Sequence, residues 1–440
     1  MDCNLETALE LFIEQHGPDR TYWVAFSGGM DSHVLLHLLA RVREETFFLL
    51  KAVHVNHSLS VNALSWAQHC SDVCRELQVN LKQLTVQAKA GAGDSPEEIA
   101  REKRYAVLSS LLLPNDFLLT AHHQDDQAET LLLQLLRGAG PKGLASMPEI
   151  KASALGFQVR PLLKFPRSDL FAYAQREKLN WVEDESNTNT VFSRNFIRQE
   201  ILPALQKRWP GVTNTFARVA AHCAEAQSIL DNVALIDLAQ AAGRSAGTLS
   251  LKFLSTLNPA RQRLLLRYWL QEQNFLVPDT VKLQQIQREI LGARADKNPH
   301  VAWKNLEVRR YRDDIFVMQR LTALDISQVL VWDLAQTLDI AGVGRLAATR
   351  IKGAGLSSNL KNITVRFRQG GENCILPKRD FTHHLKKLFW EWNIPPWMRP
   401  RMPLIFVGEK LAAVPGYFIG KEFVAGADEE GYEFNVEKPA

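Results

Sequence analysis

Ser27-Gly28-Gly29-Met30-Asp31-Ser32 packs two adjacent glycines, two hydroxyls and a carboxylate into six residues. An apolar, β-prone run (residues 22–26) precedes it, and a helix-period run (residues 33–40) follows. Strand, glycine turn and helix start, in that order, make an anion cradle. Glycine lets backbone N–H groups approach a phosphate closely, and the helix dipole favours the negative charge. Asp31 has a use beside such a cradle if a divalent cation bridges it to the phosphates. Gly-Lys-Ser/Thr is missing from the loop, which excludes the usual nucleoside-triphosphate loop. The plainer alternative is a tight turn with Ser and Asp as helix caps.

Three further clusters carry polar chemistry. In His122-His123-Gln124-Asp125-Asp126-Gln127-Ala128-Glu129, Asp126 and Glu129 are three apart and share a helical face. Asp125 and Asp126 fall at the helix start, where the dipole tolerates negative charge. With Asp31 these carboxylates could hold Mg²⁺ against phosphates, and His123 could contact a phosphate or act as acid or base. The alternative is a capped helix start with an acidic first turn. His54-Val55-Asn56-His57 closes a strand and is a candidate adenine pocket, with structural histidines as its rival. Arg101 and Arg104 share a helix face and could neutralise a phosphoryl transition state, or simply be solvated.

The elements that must position these groups alternate. Strands are expected at residues 22–26, 47–57, 81–87, 116–122 and 157–163, with helices at 32–43, 62–77, 96–112 and 125–136. That alternation predicts an α/β, Rossmann-like parallel sheet covered on both faces, with ligands beyond the carboxyl ends of its strands. Ser27, His54–His57 and His122–Asp126 each lie at such an end and should converge on one crevice. A helix is expected at 167–178, and residues 215–291 read as almost entirely helical. Residues 301–312 and 315–319 suggest a strand pair, 341–359 a connector, and 382–392 a helix among short strands. The expected division is a catalytic domain at 1–215, a mostly helical domain at 216–325 and a small basic α+β domain at 345–440.

With 440 residues, 46% hydrophobic and 23% charged, the composition is that of a globular protein of two or three domains. Five cysteines without a Cys-x-x-Cys pair argue against a disulfide scaffold, and Cys70 and Cys74 read as small buried hydrophobes. No secretory signal and no membrane-length apolar run is present, which predicts a cytoplasmic protein without membrane partners. Net charge is +4, but residues 361–402 hold nine Lys/Arg against three Asp/Glu. Such a patch suits RNA, or is a solvated face. Trp390 and Trp392 could stack on bases, as could Trp397, although core packing is the expected use of at least two of the three.

Ser27–Ser32 resembles the pyrophosphate loop of the N-type ATP pyrophosphatases. The whole chain resembles one family among them, the tRNA(Ile)-lysidine synthases. That resemblance continues through His54–His57, Ala100-Arg101, Arg104-Tyr105, His123–Thr130, Arg137–Leu144 and Arg160–Leu163. It extends to Asp184–Asn187, Arg194–Arg198, Val365–Glu372, Leu385-Lys386-Lys387 and Ile394–Trp397. Ser58, Phe192 and Asn373 depart from the family pattern, and none of them is an expected metal carboxylate.

The resemblance implies a PP-loop ATP pyrophosphatase domain, ATP and Mg²⁺ as cofactors, and a two-step ligation. ATP adenylates the C2 carbonyl oxygen of the wobble cytidine in tRNA(Ile) bearing a CAU anticodon. The ε-amine of free L-lysine then displaces AMP, so the tRNA reads AUA and is charged with isoleucine. ATP and its metal are expected at Ser27, Gly28, Gly29, Met30, Asp31, Ser32, His54 and Asn56, with Asp31 and Asp126 on the metal. Asp31, Arg101, Arg104, His123, Asp125 and Asp126 are the expected catalytic set. Arg137, Lys142, Arg194, Arg198, Arg366, Arg368, Lys386 and Lys387 are expected on tRNA, with Lys378, Arg379, Arg399 and Arg401 as further phosphate contacts. A tRNA thiolase is the nearest rival, but it would call for reactive or cluster-binding cysteines. Monomer and homodimer both remain open.

Overall fold

The computed structural model describes residues 4–56, 62–86, 96–153, 155–183, 185, 189–294, 297–377 and 381–437, with the side chains of 96–102 outside the described part. His57, Ser58, Asp184, Ser186, Asn187, Lys378, Arg379 and the Arg101 side chain therefore lie outside the described residues. Two compact units divide the chain, residues 1–231 and 232–440.

The first unit opens with α1 (Leu5–His16), β1 (Thr21–Ala25), α2 (Met30–Glu45), β2 (Leu49–Asn56), α3 (Ala63–Glu76) and β3 (Asn80–Thr85). It continues with α4 (Pro96–Ser109), β4 (Phe117–Leu119), α5 (Gln124–Leu136), α6 (Pro141–Leu144), β5 (Ile150–Ala152), β6 (Phe157–Val159) and α7 (Arg167–Arg176). Then follow α8 (Ser193–Phe196), a π-turn segment (Ile197–Ile201), α9 (Leu202–Arg208) and α10 (Val212–Gln240), within which the division between the units falls. The sheet order is β3-β2-β1-β4-β6-β5, all parallel except the edge strand β5, which runs antiparallel to β6.

Period-two alternation builds both faces of this sheet. Tyr22 and Val24, Leu50 and Ala52, and Phe117 and Leu119 point to one face, into a core completed by α1, α2, α3 and α7. Trp23, Val53, Val55 and Leu118 point to the other, against Leu108 and Leu112. Strand order reverses between β1 and β4, which pair in register from Tyr22 opposite Phe117 to Val24 opposite Leu119. A crevice beyond the carboxyl ends of these neighbours is where open parallel sheets bind ligands.

The expected strand 157–163 ends at Val159 because Pro161 cannot donate to a ladder. The expected strand 301–312 is two strands, His300–Trp303 and Leu306–Tyr311, folded at Lys304, whose φ is +47°. The almost wholly helical stretch also contains a short strand, Leu249–Ser250.

In the second unit, β7 (Leu249–Ser250), α11 (Leu251–Leu254), α12 (Pro259–Glu272), α13 (Thr280–Ile286) and a π-turn segment (Gln287–Leu291) lead into β8 (His300–Trp303), β9 (Leu306–Tyr311) and β10 (Asp314–Gln319). These strands form a sheet of order β7-β10-β9-β8, and Trp269, Leu266 and Ile286 lie in the core beside it.

An antiparallel region follows: β11 (Leu330–Val331), β12 (Leu338–Ile340), β13 (Gly344–Lys352), β14 (Leu356–Ser357), β15 (Ile363–Arg366), β16 (Asn373–Ile375) and β17 (Thr382–His384). It closes with α14 (Leu385–Glu391), β18 (Leu404–Val407), β19 (Lys410–Val414), β20 (Phe418–Ile419) and β21 (Glu430–Glu437). The expected connector at 341–359 is corrected here: β13 pairs with β21 from Arg345 to Lys352. Its small residues are strand residues, and the glycines 353 and 355, at φ +75° and +87°, serve the bend after it.

Among the described residues no helix is long and apolar enough to cross a membrane.

Candidate active site

β1 delivers the loop 27–29 and α2 begins immediately beyond it, with Gly29 as its N-cap. The loop is tied to itself. Ser27 N–H donates to Ser32 Oγ (3.2 Å), Gly29 N–H donates to Ser27 Oγ (3.3 Å), and Ser32 Oγ donates to the Gly29 carbonyl (2.9 Å). The two serines thus brace the turn. Gly28 sits at φ +84°, and a Cβ there would lie 3.0 Å from Val182 Cγ2 and 3.1 Å from Cys70 Sγ. Both its conformation and its surroundings require glycine. Gly28→Ala combines left-handed strain of about 1–2 kcal/mol with overpacking of about 1–3 kcal/mol. The expected result is a lower urea midpoint and a raised KM for ATP. An unchanged midpoint and KM would show that the floor beneath the loop yields.

A strap not expected from the sequence holds this loop from below. Val182 N–H donates to the Gly28 carbonyl (3.0 Å), and buried His33 donates from Nδ1 to the Asn180 carbonyl (2.7 Å). Burial pushes the His33 pKa down to about 4, so it stays neutral in this role. His54 is buried too and donates from Nδ1 to the Phe26 carbonyl (3.0 Å), with Cys70 Sγ at 3.4 Å. It braces the loop from within the sheet. Burial pushes both Cys70 and Cys74 up to about 12, as suits small inert hydrophobes. Asn56 lies half-buried at the end of β2.

From β4 the chain enters α5 through His123, its N-cap. His123 Nδ1 accepts from Asp126 N–H (3.4 Å), and Asp126 Oδ2 accepts from His123 N–H (3.1 Å), a reciprocal capping box. His123 Nε2 lies 3.7 Å from Asp31 Oδ2 and 3.4 Å from Asp126 Oδ2. The imidazole therefore bridges the two strand ends predicted to converge. Its side chain is 1% exposed, with Nε2 turned toward the two carboxylates and Nδ1 toward the cap. Burial works to lower its pKa, but the carboxylates of Asp126, Asp31 and Asp125 outweigh burial and raise it.

The acidic residues divide into two groups. Asp126 Oδ1 accepts from Arg194 (3.0 Å) and Arg198 (2.9 Å), while Oδ2 holds the cap. Glu129 accepts from Arg194 Nε (2.7 Å) and from Arg198 Nε (2.6 Å). Both carboxylates are thus held by arginines, Asp126 additionally by the cap. The same pairing puts Arg194 and Arg198 inside the site rather than on a basic outer surface. Asp31 differs: its side chain is 33% exposed, and Oδ1 is buried without a hydrogen-bond partner, Arg167 Nε lying 4.0 Å away. A buried, unsatisfied carboxylate oxygen beside an anion cradle fits a divalent cation. Among the described residues no cluster of three or more ligands could hold a metal by itself, so phosphate oxygens would complete the sphere.

Asp125 Oδ2 accepts from Arg167 N–H (2.8 Å), which docks the start of α7 onto α5. Arg167 is a site residue missed at the sequence level. A cation at a helix N-terminus opposes the dipole, and that mismatch was its available signal. Arg104 stacks its guanidinium 5.5 Å from the Tyr105 ring centroid. Arg137 and Lys142 are exposed after α5 and on α6. Arg366 is bound to Glu409 (2.8 and 2.9 Å), whereas Arg368, Lys386 and Lys387 line a groove of the second unit. Trp392 and Trp397 pack inward, as expected, and Trp390 is exposed.

Burial acts to raise the Asp126 pKa, but His123, Arg194, His122 and Arg198 together hold it well below 3.8. A depressed carboxylate stabilises the fold above its unfolded value and loses that contribution as pH falls. Urea stability of the protein is therefore expected to decline as pH drops below about 4, and Asp126→Asn should flatten that decline. His123 has the opposite sign: its contribution is complete below 6.5 and fades as pH rises through its higher folded value. An acid limb unchanged by Asp126→Asn would assign the loss to other carboxylates.

Comparison with known proteins places these features in one family. Residues 1–205 match a family model described as a PP-loop domain, 249–316 match the TilS substrate binding domain, and 363–436 match the TilS substrate C-terminal domain. A U34-tRNA thiolase structure from Methanococcus maripaludis, with its 4Fe-4S cluster, is 18% identical at a TM-score of 0.44, covering 50% of this chain and 78% of that one. The tRNA(Ile)-lysidine synthase of Coxiella burnetii is 42% identical over 97% of this chain and 96% of its own length. That of Methylococcus capsulatus is 42% identical over 97% of this chain and 98% of its own. With this identity over nearly the full length of both relatives and three domain matches in order, the chain belongs to the tRNA(Ile)-lysidine synthase family.

Proposed function

We propose that the chain joins free L-lysine to C2 of the wobble cytidine in tRNA(Ile) bearing a CAU anticodon, using ATP, with Mg²⁺ held at Asp31. Family membership makes it a PP-loop ligase that uses ATP and processes tRNA. The observation that carries the finer reading is the meeting of Asp31, from the glycine cradle, with the His123 cap of α5 (3.7 Å) at the ends of neighbouring parallel strands.

In the first step the cytidine C2 oxygen bonds to the α-phosphorus and pyrophosphate leaves. Gly28, Gly29 and the first turn of α2 receive the phosphate charge. Arg101 and Arg104, on α4, are the candidate cations for the transition state. Mg²⁺ at Asp31 would withdraw charge from the triphosphate.

In the second step the lysine ε-amine bonds to C2 and AMP leaves. The ammonium must first lose a proton, which calls for a nearby carboxylate. Asp125 is the better placed of the two candidates, because its Oδ2 is anchored by one backbone N–H while both Asp126 oxygens carry stronger partners. Docking of tRNA falls to Arg137, Lys142, Arg368, Lys386 and Lys387.

The test is incorporation of radiolabelled lysine into a tRNA(Ile) transcript with ATP and Mg²⁺. Incorporation that vanishes when the wobble cytidine becomes uridine supports the reading. AMP formation with RNA but without lysine transfer overturns it and points to another nucleophile.

A further inference from the structure

α14 is amphipathic in a way that leaves an aromatic ring in water. Leu385, Leu388 and Phe389 enter the core beneath it, so Lys386, Lys387 and Trp390 share the opposite side. Trp390 is 61% exposed, yet it is held in place. The Arg312 guanidinium lies 4.5 Å from its ring centroid and donates to the Trp390 carbonyl (2.9 Å) and to Asn393 Oδ1 (2.8 Å). A groove of about 500 Å³ opens beside the ring, lined by Arg368, Gly371, Glu372, Lys386 and Lys387 among others.

Inside this basic groove sits a carboxylate. Glu372 Oε1 accepts from Gln369 N–H (2.5 Å) and Gly370 N–H (2.7 Å), so the turn wraps it, and its side chain is only 9% exposed. Glu372 Oε2 is buried with no hydrogen-bond partner. Arg368 Nε, 3.7 Å away, is also buried without one. The two face each other as a loose ion pair, too far apart to hydrogen-bond, next to a fixed aromatic face. A duplex backbone presents phosphate oxygens, which accept only and which Glu372 would repel. A nucleobase edge presents a donor beside an acceptor, and its face stacks.

We propose that this groove takes one unpaired nucleotide of the tRNA, its base stacked on Trp390, its edge on the Glu372–Arg368 pair and its phosphates on Lys386 and Lys387. This rests on the tRNA reading above and adds that the basic domain reads a base rather than only following a backbone.

The sign of one substitution separates the two modes. In full-length protein binding a tRNA(Ile) transcript, Glu372→Gln should weaken affinity if the carboxylate accepts from a base. It should strengthen affinity if the groove only holds phosphate, because a repelling charge is removed. Trp390→Ala should weaken binding about tenfold, in line with the loss of one stacked base, with no change in salt slope. Lys386→Ala with Lys387→Ala should instead make the salt slope shallower by about 1–2 units. Trp390 is exposed, so its loss leaves the core intact and its result stands even if Glu372→Gln disturbs the turn. Tighter binding by Glu372→Gln, or unaltered affinity in Trp390→Ala, overturns the proposal. If either occurs while wild-type protein still transfers lysine, the base-reading groove fails and the tRNA reading survives. Absence of lysine transfer refutes that reading separately.

Discussion

Asp31→Asn is expected to reduce AMP and pyrophosphate formation by about 10²–10³-fold or more, the scale for losing a preorganised electrostatic group at a phosphoryl centre. Asparagine keeps the size and one acceptor oxygen, so the α2 start and the serine brace of the loop should persist. What disappears is the charge that a cation would bridge to phosphate. Asp31 is the carboxylate to test because its Oδ1 is buried without a hydrogen-bond partner, while Asp126 and Glu129 are bound by arginines. Affinity for tRNA should stay within about twofold, since charge-driven docking depends on distributed cations. The measurement is single-turnover AMP release with a Mg²⁺ titration, beside a tRNA binding isotherm. Turnover within tenfold of wild type would remove Asp31 from the metal role.

Glu129→Ala should produce the largest loss of stability. The side chain is 1% exposed and holds Arg194 and Arg198 at 2.6–2.7 Å. Removing one member of a buried ionic cluster leaves the rest uncompensated, at about 3–5 kcal/mol. Arginine keeps its charge in proteins even when buried, so neither guanidinium escapes by losing its proton. Urea denaturation gives the loss directly. Glu129→Gln combined with Arg198→Gln should cost less than the sum of the single changes, because the double variant no longer buries an unpaired charge. Additive costs would mean that the cluster acts as separate pairs. Lysine transfer should fall as well, since Arg194 and Arg198 also hold Asp126 beside the His123 cap.

Most of the first unit was readable from local pattern. Tyr22, Val24, Leu50 and Ala52 alternate as a two-faced sheet requires, and Gly28-Gly29 announces the strand-to-helix turn. The second unit was less readable. In β13, Ala347 and Ala348 look like linker residues, and the strand is recognisable only through its antiparallel partner β21, which begins 78 positions beyond the end of β13. The split of residues 301–312 into a hairpin also went unseen, because Lys304-Asn305 is a weak turn signal until Lys304 adopts a positive φ.

By itself the sequence determined the glycine turn at the start of α2, the acidic cap of α5, the order of the elements and the resemblance to one ligase family. Those properties are local: they depend on spacing along a strand or within one helical turn. The tertiary structure decided how each carboxylate is partnered. Arg194 and Arg198 lie 65–72 positions from the acids they neutralise, the 180–182 strap lies about 150 positions from the loop it supports, and Glu372 is left with one unsatisfied oxygen in its groove. The physical reason is that a charged side chain acquires its role from burial and from the partner folding brings to it, and neither is encoded in residue spacing.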